Sequence, residues 1–450
     1  MENLDKSEGD INISPQREAW QKQYLDTKSR ALLDKDARYF LKQSLSTPCL
    51  NTMQACEGIY IEDLQGRRYM DFHGNNVHQV GFSNPDVIAA VKKQLEALSF
   101  CTRRYTNQTA VDLAKKLAEI APGRLNKSLF CPGGAEAVGI ALKLARIATG
   151  RHKTISMWDS FHGATLDTIS IGGEAVFRQN MGPLLPGAEH APPPDEYRCA
   201  FGCSNRGGCD LTCADYVEYI LEKEGDIAAV IAEPIRSTPY IPRPEYWQKI
   251  RQACDRHGAL LIFDEIPHAL GRTGKMFTFE NFEVTPDMVV LGKGLGGGII
   301  PFAGIIARED LDVAANRALG HYTHEKSPVA CAAALATIAY IEKHNLVQHA
   351  RTLGRYALDR LNKMKRHHPL IGDVRGLGLF LGIELVKDPK TRERASDEAE
   401  AVMYACLSKG LSFKLTMGNI ITLTPALIIT KAELDQALDI IEECIADLEN

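Results

Sequence analysis

The chain has 450 residues with 52 Lys and Arg against 57 Asp and Glu, a net charge of −5 with both signs interspersed. That length supports large apolar cores, and the charge balance excludes the basic footprint of a nucleic-acid binder. The longest largely apolar stretch, residues 329–341, contains Thr337 and falls short of the roughly 18 residues a membrane span needs. The first ten residues are polar and acidic, without the basic-then-apolar order of a signal peptide, so a soluble cytoplasmic protein is expected. Its 12 cysteines do not read as a disulfide scaffold in a chain this long, and Cys131, Cys254 and Cys331 lie in apolar contexts that suit buried thiols.

In chain order, residues 1–45 read as a charged helical arm. Residues 58–72 read as a hairpin, two alternating runs joined at Gln65-Gly66. Residues 73–85, rich in Gly, Asn and His, form a loop. Residues 85–98 and 110–120 carry apolar positions at helical spacing. Between them Arg103 and Arg104 stand beside Tyr105, either as a clamp for an anionic group or as a solvated surface pair. Leu129, Phe130 and Cys131 read as a short strand, and Pro132-Gly133-Gly134-Ala135 opens a helix. Glycines at such a start let backbone N–H groups and the helix dipole face an anion.

A strand over residues 154–157 then leads into Phe161-His162-Gly163. Residues 183–213 form an insertion rich in Pro and Gly that carries Cys199, Cys203, Cys209 and Cys213. Four cysteines so close invite a structural zinc, yet the spacing departs from paired zinc knuckles, and free thiols in a compact loop are the preferred reading. Residues 227–232 are another buried strand, ending in Glu233-Pro234. From Val329 the pattern turns to a long helix, followed by strands over residues 374–385.

The chain is organised around residues 259–298. Ala259-Leu260-Leu261-Ile262-Phe263 is apolar without alternation, as a strand buried on both faces of a parallel sheet must be, and it ends in Asp264-Glu265. A second run, Met288-Val289-Val290-Leu291, ends in Gly292-Lys293-Gly294, where glycines remove side chains that would shield a lysine from a ligand. Ligands of open α/β sheets sit beyond the carboxyl ends of strands. An unprotonated lysine there can form a Schiff base with the aldehyde of pyridoxal phosphate, and an ionised aspartate can pair with the cofactor's ring nitrogen. Gly292, Gly294 and Gly297 also match the spacing of a dinucleotide fingerprint, but residues 299–303 read as another strand and no helix opens there.

This stretch, FDEI followed by GRTGKMF and PDMVVLGKGLGGG, resembles the signature of class III aminotransferases, pyridoxal-phosphate enzymes of fold type I. The likeness runs from about Tyr60 to the C-terminus. It implies a large domain on a mostly parallel seven-stranded sheet, and a smaller α+β domain from the two termini. The expected division is residues 1–80, 81–330 with the insertion 183–213, and 331–450. By the same resemblance Lys293 holds the cofactor, Asp264 pairs with its pyridine nitrogen, Ile266 packs under the ring and Phe161 stacks on it. His162, Glu233, and the amides of Gly134 and Ala135 complete the cofactor contacts. Thr323 is implied to reach the cofactor phosphate of a neighbouring subunit in a homodimer, and the loop with Asn76 and His78 to line the site mouth.

The sequence departs from the family at four positions. Gly133 stands for a serine in the phosphate motif and Pro267 for a glutamine near the cofactor hydroxyl. Thr424 replaces the arginine that binds an α-carboxylate, and Thr238 replaces that arginine's glutamate partner. An arginine–carboxylate contact contributes about 1.5–3 kcal/mol in a dry site, so its loss weakens α-carboxylate binding at least about tenfold. Family members lacking this arginine include lyases. The expected activity is ammonia release from a small aminoalkyl phosphonate, with an ω-transaminase for a carboxylate-free amine as the alternative. Candidates for the anionic group are Arg103, Arg104, Arg236, Lys326 and His78.

Overall fold

The computed structural model describes residues 13–44, 46–203 and 208–449, so the first twelve residues of the expected arm lie outside it. The described chain divides into two compact units. One holds the N-terminal residues up to Gly74, Gly81–Ser83 and everything from Arg351 onward; the other holds Asn75–Val80 and Asn84–Ala350. No described helix is long and apolar enough to cross a membrane.

The second unit is built on a seven-stranded sheet. Its spatial order is Leu125–Cys131, Ala303–Arg308, Met288–Leu291, Leu260–Asp264, Ile227–Ala232, Lys153–Met157 and Ala188–Ala191. Ala303–Arg308 runs antiparallel to both neighbours, and the other pairings are parallel. Strands Ile227–Ala232, Leu260–Asp264 and Met288–Leu291 are buried at every position. Their unbroken apolar runs therefore follow from having no solvent face. The helix Gly134–Thr149 lies on this sheet with eight buried residues and stops at Gly150, whose φ of 68° suits a glycine cap.

Two expectations are corrected. Residues 299–302 are not strand: Gly297 and Gly298, at φ 68° and 71°, turn the chain, Pro301 has no N–H to donate, and the sheet resumes only at Ala303. The long helix from Val329 is two helices, Pro328–Lys343 and Leu346–His367, broken where Asn345 takes φ 50°. Pro328–Lys343 packs on Pro85–Ala97 and Gln108–Ile120, which places it with the sheet unit.

The first unit carries two four-stranded sheets. One joins Met53–Glu57, the hairpin Tyr60–Asp63 and Arg68–Asp71, and the short strand Leu411–Ser412. The hairpin turns at Gly66, φ 78°. Ile371–Leu377, Phe380–Leu385, Ile420–Leu423 and Lys414–Thr416 form the other, in that order. Helices Pro15–Tyr24, Ser396–Ser408 and Lys431–Glu449 belong to the same unit.

Candidate active site

Asp264 is the last residue of its strand and lies in register with Val290 on the parallel neighbour, three residues before Lys293. Two adjacent strands therefore deliver the carboxylate and the amine to the same carboxyl edge. Lys293 opens a short 3₁₀ turn, Lys293–Gly296, at φ 45°. A non-glycine residue in that region costs on the order of 1–3 kcal/mol, and such strain is typical of functional positions.

The flanking glycines have a different reason from the one the sequence suggested. A Cβ on Gly294 would lie 1.8 Å from Oε1 of Gln79, and one on Gly292 would lie 3.2 Å from the side chain of Ile266. Protein atoms, rather than space left for a ligand, fill both positions. Gln79 was not anticipated. It is buried in the segment Asn75–Val80, and the same segment brings the carbonyl of Val77 to 3.0 Å from where a Gly298 Cβ would sit. His78, within that segment, is fully buried.

Two hydrogen bonds orient the Asp264 carboxylate. Its Oδ2 meets Nδ1 of His162 at 2.8 Å, and its Oδ1 accepts from the amide of Ile266 at 3.1 Å. His162 is 2% exposed, and its Nε2 has no hydrogen-bond partner among the described residues. The structure thus joins His162 to the site through the aspartate. Next to it, Phe161 is half-buried against Phe177, ring centroids 4.4 Å apart.

The helix Gly134–Thr149 begins behind Gly133 with no side-chain cap, which leaves its first amides for an anion. A Cβ on Gly134 would lie 2.7 Å from Cδ1 of Ile266, and one on Gly163 would lie 2.7 Å from Cβ of Ala135. Only a glycine lets Ile266 approach the helix start, and only a glycine lets the Phe161-His162-Gly163 loop close on Ala135. An apolar residue, an aromatic, an oriented carboxylate and an open helix N-terminus thus border one region. These residues fit a phosphorylated heterocycle: flat faces for the ring, amides for the phosphate and Asp264 for the ring nitrogen.

Arg236 is no free receptor for an anion. Its Nη1 donates to Glu233 at 3.0 Å and its Nη2 to Glu174 at 3.1 Å, with all three side chains under 10% exposed. Glu233 also accepts from the amide of Phe161 at 3.3 Å, and from the amide and hydroxyl of Ser237 at 3.1 and 3.0 Å. Glu233 therefore holds the aromatic loop in place. Thr238 is fully buried, and its hydroxyl has no hydrogen-bond partner among the described residues.

His268 was missed by the sequence reading. Its Nε2 lies 3.5 Å from the hydroxyl of Ser237. Burial holds its pKa down at about 3; Glu233 opposes that shift, while Lys293, Arg236 and Arg272 reinforce it. The available signal was its place two residues after Ile266, in the turn that leaves the aspartate strand.

The remaining candidates are more exposed or belong to the other unit. Arg103, Arg104, Thr323 and Lys326 are exposed on the described chain. In the other unit Thr424 turns its hydroxyl to the carbonyls of Phe72 and His73, at 3.1 and 3.3 Å. Cys199, Cys203, Cys209 and Cys213 line one cavity with Pro193 and Pro194, and none of the four is in a disulfide. Burial first, then its three neighbouring thiols, pushes Cys213 up to about 12. Among the described residues no three His, Cys, Asp or Glu side chains form a group that could hold a metal.

Fold and site together define a pyridoxal-phosphate enzyme of fold type I. The chain belongs to the class III aminotransferase family, whose description, aminotransferase class-III, matches residues 42–445. It is 50% identical to an (R)-1-hydroxy-2-aminoethylphosphonate ammonia-lyase of Vibrio splendidus, over 98% of this chain and 95% of that relative. A leucine/methionine racemase of Thermococcus litoralis is 38% identical over 93% of this chain and 96% of its own length. Among solved structures, a Bacillus anthracis aminotransferase superposes with a TM-score of 0.87 at 30% identity, covering 94% of this chain and all of that one.

Proposed function

We propose that the enzyme is a lyase that releases ammonia from a small aminoalkyl phosphonate such as (R)-1-hydroxy-2-aminoethylphosphonate, giving phosphonoacetaldehyde. The observation that carries this reading is Thr424. Its short hydroxyl is turned to backbone carbonyls, and by the family resemblance it stands where carboxylate-specific relatives hold an arginine. With Thr238 in place of that arginine's glutamate, both halves of the α-carboxylate receptor are gone. The 50% identical ammonia-lyase supports the same choice.

Bound pyridoxal phosphate supplies an aldehyde for the substrate amine and a ring that takes up the electron pair of the adjacent carbon. Asp264, held by His162, would pair with the ring nitrogen and favour its protonated form. Lys293, once its amine is free, removes a proton from the carbon that bears the nitrogen. Phe161 and Ile266 would flank the ring, and the amides of Gly134 and Ala135 would take the phosphate. The hydroxyl leaves the neighbouring carbon with a proton, as water. Hydrolysis of the resulting enamine takes up one water and yields aldehyde and ammonia, so the net change is loss of ammonia. The same reading makes the protein a cytoplasmic homodimer in which Thr323 reaches the partner's cofactor phosphate.

The test is ammonia production from the purified holoenzyme and an aminoalkyl phosphonate without any keto acid. Sustained turnover supports the lyase. Release that stops near one equivalent and resumes with pyruvate identifies an ω-transaminase instead, the activity carried by several of the solved structures this chain resembles.

A further inference from the structure

The proposed substrate carries a dianion, and Arg236 is already engaged by two glutamates. Unengaged positive charge gathers elsewhere on the sheet unit, where two separate segments meet. Residues 101–107 precede the helix Gln108–Ile120, and residues 321–327 precede Pro328–Lys343. Asn107 ties them together: its Oδ1 caps its own helix by accepting from Ala110 at 2.9 Å, and its Nδ2 donates to the carbonyl of Lys326 at 3.0 Å.

Along this junction Arg103, Arg104, His321, His324 and Lys326 are all exposed. None of the five has a carboxylate partner among the described residues, and the guanidinium of Arg103 instead meets Nε2 of His321. The imidazole supplies no negative charge, so the guanidinium of Arg103 has no anionic partner there. Nearby cations are disposed differently: Lys116 pairs with Glu342 at 2.7 Å, and Lys127 with Asp312 at 3.2 Å. The junction also carries Tyr105, 67% exposed, and Phe100, whose ring lies edge-on to His324 at 5.4 Å.

Its position relates it to the reaction. Tyr322, in the second segment, packs against the apolar core around the helix Gly134–Thr149, and the burial and neighbouring charges that raise its pKa include Cys131 and Glu136 at the start of that helix. The junction thus borders the helix start assigned to the cofactor phosphate.

We propose that Arg103 and Arg104, with Lys326 and His321 beside them, are the receptor for the substrate's phosphonate. A dianion at this junction would accept charge-assisted hydrogen bonds from the guanidinium of Arg103, whose donors match the tetrahedral oxygens. The inference rests on the lyase reading for its ligand. Its chemistry, a phosphoryl-type dianion, would also suit the phosphate of the cofactor, so the experiment separates the two.

Arg103→Ala, Arg104→Ala and Arg103→Lys holoenzymes are compared with the parent in three measurements: KM and kcat for ammonia release, calorimetric binding of methylphosphonate, and retention of cofactor absorbance on dilution. Each alanine variant is expected to raise KM and weaken methylphosphonate about ten- to hundredfold. Near-parental kcat and cofactor retention, with partial recovery in Arg103→Lys, complete the expected result. If KM and methylphosphonate binding stay within twofold of the parent, the receptor is not here. If cofactor retention falls instead, the cluster serves the cofactor phosphate and the proposal is likewise overturned. Should the parent release no ammonia from aminoalkyl phosphonates, the lyase reading fails on its own, and methylphosphonate binding still decides the receptor.

Discussion

Arg236 and Arg103 were equal candidates as residue types, and the fold puts them to opposite uses. Arg236 sits in the interior between Glu174 and Glu233, both nearly fully buried. Arg103 stands at an exposed rim with only a histidine for company. A buried cation must be neutralised by the protein itself, because leaving it unpaired costs several kcal/mol. An exposed one is solvated by water and can wait for a ligand. The contrast teaches that cations divide by pairing and burial: an interior one is neutralised by the protein itself, and a rim one keeps its donors open to solvent.

Substitutions can break or sharpen that contrast. The largest expected effect belongs to the amine proposed to hold the cofactor. Lys293→Ala is expected to lose visible cofactor absorbance and at least about a hundredfold in turnover, with thermal unfolding of the cofactor-free proteins unchanged. Retained absorbance would remove the lysine from its role. In the interior, Arg236→Ala leaves two carboxylates buried without their cation and is expected to lower stability by about 3–5 kcal/mol in denaturant titration. Arg103→Ala at the rim should stay within about 0.5 kcal/mol. Equal losses at the two positions would erase the distinction.

Gly294→Ala is smaller, about 1–3 kcal/mol, because its methyl group collides with the carboxamide of buried Gln79. Combining it with Gln79→Ala should recover most of that loss, and additive losses would show that the collision is not the cause. The subtlest effect is on pH. His268 titrates at about 3 in the fold against an ordinary 6.5. Between those values the unfolded chain binds a proton that the folded one does not. Its contribution is therefore fully present above about 6.5 and is lost as pH falls toward 3, at up to about 1.4 kcal/mol per pH unit. Unfolding titrations at several pH values should show this slope in the parent and a flatter one in His268→Asn. Identical slopes would assign the acid sensitivity to another group.

Much of the fold was legible because local pattern and burial coincide. Strands with both faces covered have no alternation, so Leu260–Asp264 and Met288–Leu291 could be read with their functional ends. The glycines at Gly133 and Gly134 marked a helix start open to an anion. Errors arose where a nonlocal contact decided. Gly292 and Gly294 looked like space for a ligand, and Ile266 and Gln79, distant in sequence, fill it. The bond from His162 to Asp264, over a hundred residues away, was likewise invisible in the sequence. His268 drew no notice because a histidine in a turn is ordinary until its neighbours are known.

By itself the sequence determined the parallel strands and the lysine and aspartate at their ends, since each is written in residue types and spacings within a few tens of positions. Only the tertiary structure decided which charges are already paired. Pairing depends on what the folded chain brings within a few ångströms and on how much water remains there, and neither quantity is carried by any single stretch of the chain.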